Sequence, residues 1–288
     1  MKDINVYNEE RVISGADFTM NASLDHFNER LKVEDYRGNV YSIHNEITNL
    51  LNDYPFTKII IKSRQEDWST FLSYGYQVEA IFQGYFNGND AYGMAMYKEN
   101  ARRTSEHWMI EDDTLHQVQK LSCTLESPEA SGYIFRKACM DDAQGLAKLY
   151  QAVFEIYPTP MNDPTFISRL IQGDSIFYLT EYEGQIVSAA SAEINMTYHN
   201  AEITDCATLP AHRKNGLMKV LIAKLEEDLK ENSIYCTYSI ARALSFGMNA
   251  VFQQRKYTYT GRFTKNCKIF NKLEDMNLWV CDLSIRKA

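Results

Sequence analysis

The chain has 288 residues, 45% of them hydrophobic and 24% charged, and a formal net charge of −8. This length suffices for one large or two moderate domains, and no apolar run reaches the about 18 residues that a membrane-spanning helix needs. Because the acidic excess lies in residues 1–130, and the start from Met1 to Val6 lacks the apolar core of a signal peptide, we expect a cytoplasmic protein that binds neither nucleic acid nor a membrane.

Residues 58–97 have the pattern of a small strand-helix-strand-strand unit. The β-branched run at 58–62 predicts a strand and residues 67–72 predict a short helix, and further strands are predicted at 77–86 and 92–97. The same order is predicted again near the end of the chain, at residues 234–240, 245–254, 257–263 and 278–283. We interpret this as an internal repeat, with coincidence as the alternative because the order is common in α/β proteins.

Residues 101–130 are polar with acidic clusters and separate the two predicted units. Within them, residues 114–125 predict one short helix and residues 126–129 a linker. The second unit is predicted to begin near Tyr133. Its first elements are a strand at 133–136, a helix at 141–154 with Leu146, Leu149 and Phe154 facing inward, and a hairpin of strands at 176–180 and 185–193.

The stretch from Ala201 to Met218 predicts a strand, a short basic turn and the start of a helix. Small and β-branched residues favour a strand up to Leu209, Pro210 ends it, and Gly216 permits close approach of the backbone. A helix N-terminus has unpaired N–H groups and a positive dipole end, so the turn predicts an anion site. The helix has an apolar face of Leu217, Val220, Leu221, Leu225 and Leu229, and a predicted solvent face of Lys219, Lys224, Glu226, Glu227 and Lys230.

Three segments resemble the GNAT superfamily of N-acetyltransferases. Residues 213–218 resemble its pyrophosphate loop, Q/R-x-x-G-x-G/A, with Met218 where glycine or alanine is commoner. Residues 201–207 resemble the central strand that carries a glutamate base in the histone-acetyltransferase branch. Residues 249–257 resemble a later helix of the superfamily, with Phe252 at the position of a tyrosine that often protonates the leaving thiolate.

A more specific resemblance covers the chain from Tyr133 to its end. The blocks 238–249 and 273–280 are similar to the β-lysine N-acetyltransferase family, which makes Nε-acetyl-β-lysine, a compatible solute, from L-β-lysine and acetyl-CoA. The resemblance implies an N-acetyltransferase with acetyl-CoA as cosubstrate and a small-molecule amine as partner. It implies an α/β (α+β) fold with a mixed sheet. The implied parts are a degenerate acetyltransferase-like α/β domain at 1–100, a linker at 101–130 and a GNAT domain at 131–288.

The resemblance also implies roles for individual residues. Glu202 is the base, which is needed because an alkyl ammonium with a pKa of about 10.4 must lose a proton before it attacks a thioester. The backbone N–H of Cys206 stabilises the developing oxyanion. The pantetheine arm pairs with the strand at Cys206, Ala207, Thr208 and Leu209, with Asn249 and Phe252 near it. The pyrophosphate binds at Arg213, Lys214, Asn215, Gly216, Leu217 and Met218.

Several points stay open at this stage. Asp205 and Arg242 are candidates to bind the substrate's second ammonium and its carboxylate, with structural ion pairs as the alternative. The thiolate leaves unassisted or takes a proton from Tyr257, Tyr238 or Ser245. No metal is expected, because the six cysteines lack metal-ligand spacing. Another amine substrate and a non-enzymatic acyl-CoA-binding regulator are the alternative functions, and the partner prediction includes a homodimer.

Overall fold

The computed structural model describes residues 8–125, 131–269 and 272–285, and the strands in these ranges form one mixed sheet. The predicted linker at 126–129 and the start from Met1 to Val6 lie outside the described residues. The strands are β1 (Asn8–Ser14), β2 (Phe18–Asp25), β3 (Arg30–Gly38), β4 (Lys58–Ser63), β5 (Gln77–Phe86), β6 (Asn89–Tyr97), β7 (Ile134–Lys137), β8 (Ser175–Tyr182), β9 (Gln185–Asn195), β10 (Asn200–Thr208), β11 (Cys236–Arg242), β12 (Thr258–Ile269) and β13 (Lys272–Asp282).

Eight α-helices lie in the described ranges, and none of them is long and apolar enough to cross a membrane. They are α1 (Val40–Asp53), α2 (Trp68–Ser73), α3 (Asn100–Arg103), α4 (Trp108–Gln119), α5 (Ala143–Val153), α6 (Pro164–Gln172), α7 (Leu217–Glu231) and α8 (Phe246–Gln254).

The order of strands in the first half of the sheet recurs in the second half. Read from the outer edge inward, the first half is β1-β2-β3-β4-β6-β5, and the second, after the edge strand β7, is β8-β9-β10-β11-β13-β12. Each half has one parallel pair, β3–β4 or β10–β11, whose strands are connected through α1 or α7, as parallel neighbours require. Residues 58–97 therefore have the predicted strand-helix-strand-strand order, and residues 236–282 repeat it.

The two halves meet where β5 pairs with β12, and a glycine makes this contact. Gly261 pairs with Ala80. Its φ is +148°, and a Cβ atom added there would lie 2.2 Å from the carbonyl oxygen of Glu79. Because any side chain at this position would collide with the facing backbone, glycine allows the sheet to continue from one half to the other.

Helix α7 packs its predicted apolar face on the sheet, and Leu221, Leu225 and Leu229 are fully buried. The predicted solvent face is wrong for two residues. Lys219 and Glu226 are only 8% and 4% exposed. Arg255 at the end of α8 forms a buried ion pair with Glu226, so a neighbouring helix covers a side of α7 that the local pattern assigns to water.

Other differences from the sequence predictions arise from tertiary contacts. Helix α4 begins and ends six residues earlier than predicted. The chain beyond its end hydrogen-bonds to the end of α8, with Thr124 N donating to Gln254 O at 3.0 Å, so those residues are not helical. The helix predicted at 141–154 is a 3₁₀ turn followed by α5, in which Leu146 and Leu149 are buried as expected. No sequence pattern predicted β1, β2, β3, α1, α3 or α6.

The sheet curls so strongly that strands far apart in its order approach each other. Six strands separate β3 from β10, yet both line one cavity. Tyr198, in the turn between β9 and β10, closes the curl: its hydroxyl donates to Asp35 Oδ2 at 2.6 Å and accepts from Arg64 Nη2 at 3.0 Å. The first half of the chain therefore forms one wall of a cavity whose other wall belongs to the second half.

Candidate active site

A slot opens between β10 and β11. These parallel strands pair only from Asn200 to Glu202, and the last pair joins Glu202 to Tyr238. Beyond it, β10 continues to Thr208 and β11 to Arg242 without pairing to each other. The backbone edge of β10 that faces β11 is thus available to another extended chain.

Of the residues predicted to pair with pantetheine, Ala207 and Leu209 are turned away from this slot, and Thr208 faces it. Leu209 N donates to Val187 O at 2.9 Å, and Ala207 O accepts from Ser188 Oγ at 3.0 Å, so both groups are turned toward β9. Since successive residues of a strand present their N–H and C=O groups to opposite edges, Thr208 presents its own to the slot. The structure therefore separates Thr208 from Ala207 and Leu209 within the predicted pantetheine strand.

A β-bulge in β10 lies beside the slot. The register with β9 shifts between Thr204 and Ala207, and Asp205, at the bulge, has a φ of +48°. Tyr150 OH donates to the carbonyl oxygen of Asp205 at 2.8 Å and holds the bulge in place. Because the bulge interrupts the alternation of side chains, Thr204 and Asp205 line the same cavity although they are adjacent in sequence.

The turn before α7 has the geometry of an anion site. Lys214 and Gly216 have positive φ values of 68° and 72°, and Gly216 is the N-cap of α7. The side chains of Arg213, Lys214 and Asn215 are exposed, whereas those of Leu217 and Met218 are buried, with no acidic residue in the first helical turn. The predicted loop therefore combines exposed basic side chains with the unpaired N–H groups of a helix N-terminus.

A cavity of ≈ 220 Å³ lies between the two halves of the chain. Its lining is rich in charge and contains four carboxylates and three cations. The carboxylates are Glu34, Glu193, Glu202 and Asp205, and the cations are Arg30, Lys32 and Lys62. One wall, from β3 and β4, thus supplies all three cations, and the other wall supplies three of the four carboxylates.

The cavity carboxylates of the second half have pKa values close to neutral pH. Burial and the negative charge of Glu193 raise the pKa of Glu202 to about 7, against the opposing effect of Lys62. Desolvation and the charge of Asp205 raise the pKa of Glu193 to about 7, and burial raises that of Asp205 to about 6 although Ser191 and Tyr157 hydrogen-bond to it. A carboxylate with a pKa near 7 is a suitable proton acceptor at physiological pH.

The basic wall is organised around Glu34. Its carboxylate accepts from Lys62 Nζ and lies 3.1 Å from Lys32 Nζ. Burial opposes ionisation of Glu34, but these two ammonium groups hold its pKa well below the usual range. Lys62 is also enclosed by aromatic rings, with its Nζ 4.7 Å from the ring centroid of Tyr85 and 5.2 Å from that of Phe82. The wall carries one more positive than negative charge from these three groups.

Asn249 does not have the role that the resemblance implies for its side chain. It is fully buried, and its Nδ2 donates to Arg242 O at 2.9 Å and to Ser245 O at 2.8 Å. Its Oδ1 accepts from Asn277 Nδ2 at 2.9 Å and from Trp279 Nε1 at 2.7 Å. These four bonds use both N–H groups and both lone pairs of the amide. The side chain therefore fixes the start of α8 against β13 and retains no capacity for pantetheine.

Phe252 and Arg242 contact other parts of the protein. Phe252 is fully buried in the core and packs edge-on against Tyr257, with 5.1 Å between ring centroids. Arg242 is not among the residues that line the cavity, and its Nη1 lies 3.9 Å from Glu274 Oε1. Of the two substrate-binding candidates, the structure thus brings Asp205 to the cavity and leaves Arg242 beside a buried carboxylate.

The three candidate acids have different surroundings. Tyr257 OH accepts from Thr237 Oγ1 at 3.2 Å within the core. Tyr238 pairs in register with Glu202, and burial raises its pKa well above the usual value. Ser245 is the N-cap of α8. Tyr238 is therefore the candidate next to the predicted base.

Sequence reasoning missed the residues that give the cavity its charge pattern. Glu193 lies directly opposite Glu202. Both residues lie in predicted strands that follow each other along the chain, so an antiparallel pairing of those two strands was the signal that could have found Glu193. Lys32, Glu34 and Lys62 had no such signal. Their strands come from the first half of the chain, and their approach to β10 depends on the curl of the whole sheet.

Comparison with known proteins gives consistent matches. Residues 143–254 match the acetyltransferase (GNAT) family. The chain is 35% identical to N-acetyltransferase YodP of Bacillus subtilis, over 90% of this chain and 94% of that protein. It is 34% identical to the Beta-lysine N(6)-acetyltransferase of Methanosarcina mazei, over 85% and 98%. For the enzyme of the same name from Methanococcus maripaludis the identity is 30%, over 88% and 92%.

Proposed function

The chain belongs to the β-lysine N(6)-acetyltransferase family of GNAT enzymes, and we propose that it transfers the acetyl group of acetyl-CoA to the ε-amine of L-β-lysine. The observation that carries this proposal is that one strand, β10, borders both the slot and the cavity. Thr208 faces the slot, while Glu202 and Asp205 line the cavity. A thioester carried along the slot would therefore meet an amine held in the cavity.

The residues around the slot fit acetyl-CoA. Its pyrophosphate binds to the exposed turn of Arg213, Lys214 and Asn215 and to the N–H groups that follow Gly216. Its pantetheine arm lies along β10 and hydrogen-bonds to the backbone of Thr208. Bound in this way, acetyl-CoA supplies the thioester that the amine attacks.

Glu202 is the proposed general base. A pKa of about 7 allows it to accept a proton from the substrate ammonium, whose pKa is ordinarily about 10.4, and the surrounding carboxylates hold that ammonium in place. As the N–C bond forms, the N–H of Cys206 stabilises the negative charge on the acetyl oxygen. The C–S bond then breaks as the nitrogen loses its second proton to the departing sulfur, so CoA leaves as the thiol, and the first proton, taken from the ammonium, remains on Glu202.

The cavity favours a small substrate over a protein lysine. Its ≈ 220 Å³ is less than the roughly 300 to 1,000 Å³ of pockets for drug-sized ligands, and Tyr198 closes the curl of the sheet nearby. β-Lysine has two ammonium groups and one carboxylate, which matches three carboxylates on one wall and a net positive charge on the other. Another small diamino acid is the alternative substrate that this charge pattern supports best.

The proposed reaction suggests a role for its product, and the fold suggests a division into domains. The product, Nε-acetyl-β-lysine, is a neutral zwitterion, and we propose that it serves as a compatible solute in the cytoplasm. We also propose that residues 1–100 are a degenerate acetyltransferase-like domain, joined through residues 101–130 to a GNAT domain at 131–288. The repeated order of strands supports this division. A homodimer remains a prediction, which sedimentation velocity would test.

The decisive experiment measures acetyl-CoA-dependent thiol release by the purified protein with L-β-lysine, L-lysine, 1,4-diaminobutane and a lysine peptide. We expect the highest kcat/KM with L-β-lysine, and loss of turnover in Glu202→Gln but not in Glu227→Gln, an exposed glutamate on α7. A higher kcat/KM with another amine would show that this amine is the substrate and would leave the proposed acetyl transfer unchanged. Tight CoA binding without turnover of any amine would instead indicate a regulator.

A further inference from the structure

We infer that the first half of the chain selects the substrate, and that Lys32 binds the substrate's carboxylate. This inference rests on the proposed function and deepens it. No sequence motif pointed to Lys32, because β3 belongs to the half that lacks the features of a cofactor site.

Two of the three cations are committed to other groups. Arg30 donates to Asp25 Oδ2 at 2.7 Å and to Asn266 O at 3.0 Å. Lys62 donates to Glu34 and to Tyr85 OH, and its side chain is 13% exposed. Both cations therefore hold the wall together.

Lys32 is the cation with the most remaining capacity. Within the described residues it forms an ion pair with Glu34 Oε1 at 3.1 Å, and its side chain is 27% exposed. An ammonium group has three N–H donors, and Glu34 is already shared with Lys62. Lys32 can thus donate to an incoming carboxylate without leaving Glu34 unpaired.

The opposite wall sets the orientation of the substrate. Glu193 lies directly opposite Glu202 in the β9–β10 register, and both carboxylates line the cavity. The positive charge of Lys32 acts on both, since it lowers the pKa of each. An amine whose far end carries a carboxylate would place that end at Lys32 and its ε-ammonium at Glu202. A diamine without the carboxylate would have no group for the Lys32 ammonium to bind.

The test compares L-β-lysine with 1,4-diaminopentane, which is the same molecule without its carboxylate. Wild type, Lys32→Met and Lys32→Arg are assayed for KM and kcat, and the inhibition constant replaces KM if the diamine is not turned over. The control is Lys268→Met, because Lys268 is similarly exposed, at 34%, and is paired with Glu29 at 2.6 Å outside the cavity lining.

We expect Lys32→Met to raise KM for L-β-lysine at least tenfold, with less than a threefold change for 1,4-diaminopentane and for acetyl-CoA. Lys32→Arg should restore most of the affinity, since it keeps the charge, and Lys268→Met should match wild type. An unchanged KM for L-β-lysine, or equal losses for both amines, would overturn the role of Lys32. If Lys32→Met does not fold, Lys32→Gln provides the same comparison.

Failure of this inference differs from failure of the proposed function. If wild type does not acetylate L-β-lysine, the proposed function is wrong, whatever the variants do. If wild type acetylates L-β-lysine and the Lys32 variants leave its KM unchanged, only the assignment of the carboxylate site is wrong.

Discussion

Glu202 on β10 lies directly opposite Glu193 on β9, and both side chains line the cavity between the two halves of the chain. Like charges at directly opposed positions of an antiparallel pair destabilise it, so this arrangement has a cost for folding. Burial, together with the negative charge of Glu193, raises the pKa of Glu202 to about 7. The arrangement that disfavours the ionised pair thus prepares one of its members to accept a proton.

The pH dependence of activity should report the pKa of Glu202. Since the base is active when ionised, kcat/KM for L-β-lysine should rise with pH through a midpoint near 7. Glu193→Gln removes the neighbouring negative charge and should move this midpoint to lower pH, which a purely structural role for Glu193 would not do. Glu202→Gln should reduce kcat by about a hundredfold or more. An unshifted midpoint in Glu193→Gln would contradict the coupling.

Glu202 should also make the protein less stable as the pH rises. Its pKa is about 7 in the folded protein and about 4.3 in the unfolded chain, so between these values the folded state holds a proton that the unfolded state does not. The free energy of unfolding therefore falls as pH increases through this window. Glu202→Gln should raise it by about 1–2 kcal/mol at pH 8 and leave it unchanged at pH 4. Urea unfolding at both pH values checks this, with Glu227→Gln as control.

Gly216→Ala should weaken binding of acetyl-CoA specifically. Gly216 has a φ of +72°, where alanine costs about 1–2 kcal/mol, and the added Cβ would approach the pyrophosphate. We expect KM for acetyl-CoA to rise about tenfold, with KM for the amine unchanged. Gly184→Ala is the matched control, because Gly184 has a φ of +75° in the β8–β9 turn and no atom within 4 Å of an added Cβ. Equal kinetic effects in both variants would indicate strain rather than phosphate contact.

Asn249→Ala should affect stability and leave acetyl-CoA binding intact. The substitution leaves the buried donors Asn277 Nδ2 and Trp279 Nε1 without their acceptor. Unpaired buried donors cost about 1–3 kcal/mol each, so we expect a loss of about 2–4 kcal/mol in urea unfolding. KM for acetyl-CoA, measured at low temperature where the variant is folded, should match wild type. A tenfold rise in that KM at unchanged stability would indicate that the Asn249 side chain contacts pantetheine, as the resemblance implies. Asn49→Ala, at an exposed position of α1, is the control.

The sequence by itself determined the parts of the site that depend on neighbouring residues. The strand at β10, the turn with Gly216 and the amphipathic helix α7 follow from signals within about thirty residues, and the resemblance of residues 201–218 added the role of Glu202. Local backbone preferences decide such elements, so they can be read along the chain. The strand-helix-strand-strand order of residues 58–97 was predictable for the same reason.

Only the tertiary structure decided which side chains meet. Lys32 and Glu202 are 170 positions apart and face one cavity because a continuous sheet curls until β3 approaches β9 and β10. Asn249 belongs to a matching motif, yet Asn277 and Trp279 occupy its amide, because β13 packs against α8. Burial, pairing and pKa depend on atoms brought together by the whole fold, and no local pattern of residues contains that information.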